Sequence, residues 1–225
     1  MNSARSNRCF PAVIIYLLAG FFPGTVGAQQ VPWVGESLDG RACSDIGTGA
    51  TGGYGPFDYR IHKDRLPLVE GAHFTPEVEN LIRGKSTIHP MPDVNYTLNR
   101  FPNHHRALYA AVRFALGEST ASRREGYSAE CYLQRAIYFT PNDPAPYLLF
   151  GLYLHRVGEL DRSLEMYERA EELAPDNGNL LYNMGLLHFD RGNFVESRRY
   201  AEQASRLGID LPGLKRKLQE AGHWQ

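Results

Sequence analysis

The chain has 225 residues, enough for one large domain or two small ones with a buried core. Apolar residues make up 43% and charged residues 22%, which is typical of a globular protein and excludes a disordered or fibrous chain. With 24 Lys and Arg against 25 Asp and Glu, the formal charge is −1, so the chain lacks the basic surplus of a general nucleic-acid binder.

Residues 1–28 have the three-part pattern of a secretory signal peptide. Arg5 and Arg8 form a basic region, residues 10–22 are apolar, and Val26-Gly27-Ala28 supplies the small residues that precede a cleavage site. About 13 apolar residues in a helix span about 20 Å, less than the ~30 Å of a bilayer core, which argues against an anchor. We therefore expect an exported protein with no stable membrane insertion after cleavage near Ala28.

Two cysteines follow the predicted cleavage site, Cys43 and Cys131. An even pair in an oxidising compartment favours a disulfide, which is our prediction for these two residues. The alternative is a pair of unrelated thiols, one of them buried on a helix.

Residues 29–103 are rich in Gly, Pro and aromatic residues and carry no repeat. Within them, residues 76–83 indicate a short helix and residues 93–100 an extended strand-like segment. Asn103 is then predicted to be the N-cap of the helix that enters the next region. The segment as a whole is predicted to be an irregular appendage that caps its neighbour, and five aromatic side chains are expected to make that contact: Phe57, Tyr59, Phe74, Tyr96 and Phe101.

The second half of the chain repeats with a period of 34 residues. Gly recurs at positions 117, 151 and 185, and small residues recur with the same period further along each unit. Two of those columns are Ala129, Ser163 and Ser197, then Ala136, Ala170 and Ala204. Proline closes the first two units at Pro141 and Pro175, and Ile209 stands where the third proline would be. Small residues in register remove bulk where helices cross, so the pattern predicts stacked helical hairpins.

These columns resemble the tetratricopeptide repeat, whose pattern combines a bulky residue, Leu-Gly, aromatic residues, Ala and Pro at fixed positions. The middle unit matches best, through Tyr147, Phe150-Gly151, Ser163, Tyr167, Ala170 and Pro175. The first unit departs from the pattern, because Arg113 and Thr120 stand at two of its characteristic positions.

The resemblance implies an all-α fold, a short solenoid of three helical hairpins. The repeat region covers residues 104–209, and its units lie at about 110–143, 144–177 and 178–209. Residues 210–225 are predicted to form a C-terminal capping helix, because one unit cannot cover its own apolar face.

Three further segments are similar to a group of small exported tetratricopeptide proteins of Gram-negative bacteria. They are residues 55–59, 96–108 and 211–215. This similarity implies a periplasmic location and an architecture, and it implies no particular activity.

The resemblance also implies a binding face, since the first helix of each tetratricopeptide unit lines the concave side. The inward positions form an apolar row with one His: Phe114, Leu148, Leu152, His155, Tyr182, Leu186 and Phe189. Apolar strips of this kind are typical of interaction sites, so we predict a groove that binds another protein of the cell envelope. In the alternative, residues 29–102 fold back and fill the groove.

The sequence contains little that points to catalysis or to a cofactor. No His or Cys pair has the spacing of a metal site. Asp58 with His73 as an acid–base pair, and Ser86 or Ser128 as a nucleophile, lack any supporting motif. We therefore predict a non-catalytic scaffold with no metal, cofactor or nucleic-acid partner. The second hypothesis is a structural accessory that binds a cell-wall or envelope polymer, and the third is a hydrolase-like enzyme.

Overall fold

The computed structural model describes residues 31–46, 54–85, 87–117 and 127–224. The predicted signal peptide and Ser86 lie outside these residues. The helices in chain order are α1 (Cys43–Ile46), α2 (Leu66–His73), α3 (Pro76–Glu79), α4 (Met91–Arg100), α5 (His105–Ala115), α6 (Ala129–Phe139), α7 (Pro144–Val157), α8 (Leu160–Leu173), α9 (Gly178–Asp190), α10 (Phe194–Arg206) and α11 (Pro212–Glu220). A short 3₁₀ helix, Lys63–Arg65, precedes α2.

Three helical hairpins follow one another along the chain: α5 with α6, α7 with α8, and α9 with α10. Tight turns close the second and third hairpins, where Gly158 and Gly192 adopt left-handed conformations with φ of 91° and 77°. Glycine reaches this region without the steric cost that a side chain would add. The predicted all-α solenoid is therefore confirmed.

The small-residue columns are where the two helices of a hairpin touch. Ser163 Oγ on α8 donates a hydrogen bond of 2.8 Å to the carbonyl of Gly151 on α7. One period later, Ser197 Oγ on α10 donates a hydrogen bond of 2.8 Å to the carbonyl of Gly185 on α9. The 34-residue register of the sequence is therefore a register of repeated interhelical contacts.

The N-terminal segment is more helical than predicted. Residues 93–100 belong to α4, so the prediction of extended structure is wrong, and the helix predicted at 76–83 ends at Glu79. Met91, Val94 and Leu98 lie on one face of α4 and are buried in a core shared with α5 and α6. This face obeys helical periodicity, and its burial against later helices outweighs the weak local signal.

Residues 31–46, which we call the strap, lie along α6. Arg135 Nε on α6 donates a hydrogen bond of 3.0 Å to the Val31 carbonyl, and its guanidinium lies 4.7 Å from the centre of the Trp33 ring. Cys43 and Cys131 form a disulfide with an S–S distance of 2.00 Å, and both side chains are fully buried. The strap is thus attached to the first hairpin by one covalent bond and several polar contacts.

Asn103 joins the N-terminal segment to the repeats. Its Nδ2 donates to Asp58 Oδ1 at 2.8 Å and to Asp143 Oδ2 at 2.9 Å, while its Oδ1 accepts the Tyr59 backbone N–H at 2.9 Å. One fully buried amide therefore connects a loop before α2 with the N-cap residue of α7.

The predicted capping role of Asn103 is wrong, because the N-cap of α5 is His104. The Nδ1 atom of His104 accepts the Ala107 backbone N–H at 3.1 Å, which places its own proton on Nε2. A cap one residue later leaves the Asn103 amide available for the junction.

Each of the two carboxylates at Asn103 has a basic side chain beside it. Arg60 lies 2.7 Å from Asp58, and His105 Nε2 lies 2.9 Å from Asp143. Burial by itself raises the pKa of Asp58, but hydrogen bonds from Arg60 and Asn103 outweigh burial and lower that pKa to about 2. Burial likewise raises the pKa of Asp143, and the hydrogen bond to His105 with its charge reverses the effect. Both carboxylates thus stay ionised inside the junction.

We expect Gly151→Ala to lower the free energy of unfolding by about 1–3 kcal/mol through overpacking. An added Cβ would lie 2.4 Å from Cδ1 of the Tyr167 ring, which is fully buried and cannot move aside. The matched control is Gly71→Ala in α2, where a Cβ meets no atom within 4 Å and where Ala stabilises by up to about 1 kcal/mol. Urea unfolding compares the two variants, and equal stabilities would contradict the close crossing of α7 and α8.

Asn103→Asp replaces the amide donor with a third carboxylate that faces two others. We expect this change to lower the free energy of unfolding at pH 7 by about 3–5 kcal/mol, as for other broken buried polar networks. Asn80→Asp is the control, since Asn80 is exposed at the end of α3 and should tolerate the change within about 1 kcal/mol. Similar losses in both variants, measured by denaturant unfolding, would show that the junction adds no special stability.

Candidate functional site

The seven predicted groove residues lie on the first helices of the three hairpins. Phe114 is on α5 and is only 3% exposed, because it packs in the core shared with α4 and α6. The other six lie on the neighbouring helices α7 and α9 and are half-buried: Leu148, Leu152, His155, Tyr182, Leu186 and Phe189. We call these six residues the concave row.

Helix α11 covers one end of the concave row. Its Leu214 and Leu218 are fully buried, and Tyr182, Leu186 and Phe189 pack against them. The Leu214 backbone N–H also donates a hydrogen bond of 3.2 Å to the Tyr182 hydroxyl. Leu148 and Leu152, at the other end of the row, pack against the core that contains α5.

A polar bridge runs along the edge of the concave row. His155 Nε2 lies 2.8 Å from Asp190 Oδ2, and Lys217 Nζ lies 3.5 Å from Asp190 Oδ1. The bridge links α7, α9 and α11 in sequence. Such part-exposed pairs add little stability, so their main effect is to place one carboxylate between an imidazole and an ammonium group beside an apolar surface.

The acid–base pair considered from the sequence is not formed. Asp58 is engaged by Arg60 and Asn103, whereas His73 Nδ1 lies 2.8 Å from Asp93 Oδ1. Ser128 is the N-cap of α6, and its hydroxyl accepts the Cys131 N–H at 3.2 Å. Each of these side chains thus has a structural contact that accounts for its position.

His104 is a fully buried titratable group beside the junction. Its ring is fully buried, and its Nε2–H donates a hydrogen bond of 2.9 Å to Glu70. Burial lowers the pKa of His104 by more than the hydrogen bond to Glu70 raises it. The ring is therefore neutral at pH 7 and serves as a helix cap.

No group of three or more His, Cys, Asp or Glu side chains within the described residues is arranged to hold a metal ion. None of the helices in that part of the chain combines the length and the apolar character needed to cross a membrane.

We expect the free energy of unfolding to fall as the pH drops from 7 to 5. Unfolded His104 takes up a proton near its ordinary pKa of 6.5, but folded His104 has a lower pKa and resists protonation, so acid favours the unfolded state. His104→Asn keeps an N-cap acceptor and cannot titrate, so its stability should depend less on pH over this range. Urea unfolding at several pH values gives both slopes, and identical slopes would rule His104 out as the cause.

No family model matches the chain. Among curated proteins, 90 residues match Protein O-mannosyl-transferase TMTC1 of Mus musculus at 32% identity, which covers 38% of this chain and 10% of that protein. A stretch of 78 residues matches TPR repeat-containing protein MJ1428 of Methanocaldococcus jannaschii at 28% identity, covering 35% of this chain and 14% of that protein. A longer stretch of 124 residues matches Protein CTR9 homolog of Arabidopsis thaliana at 25% identity, covering 55% of this chain and 11% of that protein.

The chain spans 10–14% of the length of these three relatives, so the similarity concerns a repeat region and not their whole activities. None of the matches bears on the similarity to exported Gram-negative proteins, which stays a prediction. The 34-residue register, the stacked helical hairpins that realise it and the matches to repeat-containing relatives show that the repeat region of the chain is similar to tetratricopeptide-repeat proteins.

Proposed function

We propose that this protein is a non-catalytic scaffold that binds an apolar segment of another protein along the concave row. Its repeat relatives support the general role of a protein-interaction scaffold. The particular face, the kind of segment and the compartment are our proposal.

The observation that carries the proposal is the incomplete burial of the row. Leu148, Leu152, Leu186 and Phe189 are large apolar side chains, and all four are half-buried on two adjacent helices. Contiguous apolar surface is rare on a soluble protein unless a partner covers it. A helical or extended peptide with apolar anchors spaced along one side would complete this burial.

The polar bridge supports a defined orientation of the partner. A segment lying along α7 and α9 would run beside His155, Asp190 and Lys217. Charged groups at the edge of an apolar surface contribute more to orientation and specificity than to affinity.

Two features support an exported scaffold that acts in the periplasm. Residues 1–28 have the pattern of a cleaved signal peptide. The buried Cys43–Cys131 disulfide is the kind of bond that persists in oxidising compartments. On this basis the partner is a protein of the cell envelope.

Leu152→Arg tests the proposal, because it places a charge in the concave row. We expect immobilised wild-type protein to capture one stoichiometric partner from envelope extract, and the variant to retain at least tenfold less, as for loss of an interface anchor. Val195→Arg is the control, since Val195 lies on α10 outside the row and is 81% exposed. Circular dichroism verifies that both variants melt within a few degrees of the wild type.

Equal partner capture by the two Arg variants would show that the concave row is not the binding face. Sedimentation of all three proteins with purified peptidoglycan would instead favour a role in binding an envelope polymer.

Tyr182→Ala and Phe189→Ala test the alternative in which residues 29–102 fill the groove. A loss of about 3–5 kcal/mol in stability with unchanged capture would mean that these rings are core residues and not anchors.

A further inference from the structure

A pocket that shares no lining residue with the concave row lies where the strap meets the first hairpin. It encloses about 290 Å³, close to the lower end of the range of about 300–1,000 Å³ for small-molecule sites. Its walls come from the strap, the end of α5, the start of α6 and one side chain of α7. We call it the strap pocket, and its defining residues are Leu38, Asp39, Phe114, Tyr127, Glu130 and Tyr153.

The Glu130 carboxylate lies in the wall of this pocket and is only 7% exposed. Three uncharged donors reach it: the Ser128 hydroxyl at 2.6 Å, the Tyr153 hydroxyl at 3.0 Å and the Leu38 N–H at 3.4 Å. Across the described ranges, no Lys, Arg or His forms an ion pair with Glu130. A carboxylate offers about four acceptor positions, so these donors leave one position and the net charge for a ligand.

Burying a carboxylate without a counter-ion is costly, even where neutral hydrogen bonds offset part of that cost. A bound cation would remove the imbalance, and an anion would increase it. The remaining charges of the lining do not change this sign, because Asp39 and Arg41 lie 2.8 Å apart and balance each other. The lining therefore carries a formal charge of −1, and it selects for a positively charged ligand.

Aromatic rings form much of the apolar wall. Phe114, Tyr127 and Tyr153 come from three different parts of the chain and all border the pocket. The faces of such rings attract cations and also pack well against short alkyl chains. A buried carboxylate beside several rings suits a charged nitrogen carried on an aliphatic stem.

We infer that the strap pocket binds an alkylammonium group, which either a lysine side chain or a small free amine can supply. The ammonium donates a hydrogen bond to Glu130, and the stem lies against the rings. A neutral apolar ligand fits less well, since it would seal Glu130 from water without supplying charge. This inference does not depend on the concave row or on any partner bound there.

Isothermal titration calorimetry of the full chain at constant ionic strength tests the inference by measuring the affinities of matched probes. The amines are 1,5-diaminopentane and N-acetyl-lysine N-methylamide, and 1-pentanol and pentanoate serve as uncharged and anionic counterparts. We expect at least one amine to bind at least tenfold more tightly than 1-pentanol, and pentanoate not to bind. Binding of the diamine alone indicates a free amine as the ligand, whereas binding of the capped lysine indicates a protein side chain.

Glu130→Gln should weaken amine binding at least tenfold, because it keeps the shape of the side chain and removes its charge. Glu165→Gln is the control, since Glu165 is exposed on α8 and lies outside the strap pocket. If Glu130→Gln fails to fold, Tyr127→Leu takes its place and should also weaken binding by removing one ring. Equal affinity for amine and alcohol in the wild type, or unchanged amine affinity in a folded variant, would overturn the inference.

Discussion

A helical hairpin cannot bury its own apolar face, and this constraint organises the whole molecule. Each hairpin must be covered by a neighbour, so the helices have to approach closely and in a fixed register. Gly151 and Gly185 permit that approach, and the Ser163 and Ser197 hydroxyls bond to their carbonyls across the crossing. The same requirement leaves two ends to be closed, and the chain closes each end differently.

The last hairpin is covered by one short helix, α11, through Leu214 and Leu218. The first hairpin needs more, because its sequence departs from the repeat pattern and its two helices are joined by a longer connection. Helix α4 packs on it as the second helix of a preceding hairpin would, and the strap is bonded to α6 by the disulfide. The strap pocket is a space left where the strap meets the first hairpin of the repeat region.

Most of the buried ionisable side chains in the described residues lie around the first of these closures. Asp58, Asn103 and Asp143 form a junction whose two carboxylates both lie near Arg60, and His104 caps the helix beside it. A matched network of this kind specifies one arrangement of the N-terminal segment more than it adds stability. Glu130 differs from these groups because its donors are all neutral, which is why it and not the junction suggests a ligand. The concave row, between the two closures, is left half-covered, which is the basis for proposing it as a binding face.

The sequence by itself determined the period, the hairpins, their glycine turns and the helices that carry the concave row. Those features follow from local sterics, since small residues and glycine turns act where they stand in the chain. Only the tertiary structure decided that residues 93–100 are helical, that Phe114 is buried and that Asn103 is a junction and not a cap. It also brought Glu130 together with Leu38 and Tyr153, a pairing with no local signal. These outcomes depend on partners distant in the chain, because burial against another element overrides weak local preference and side chains bond to whatever the fold brings near.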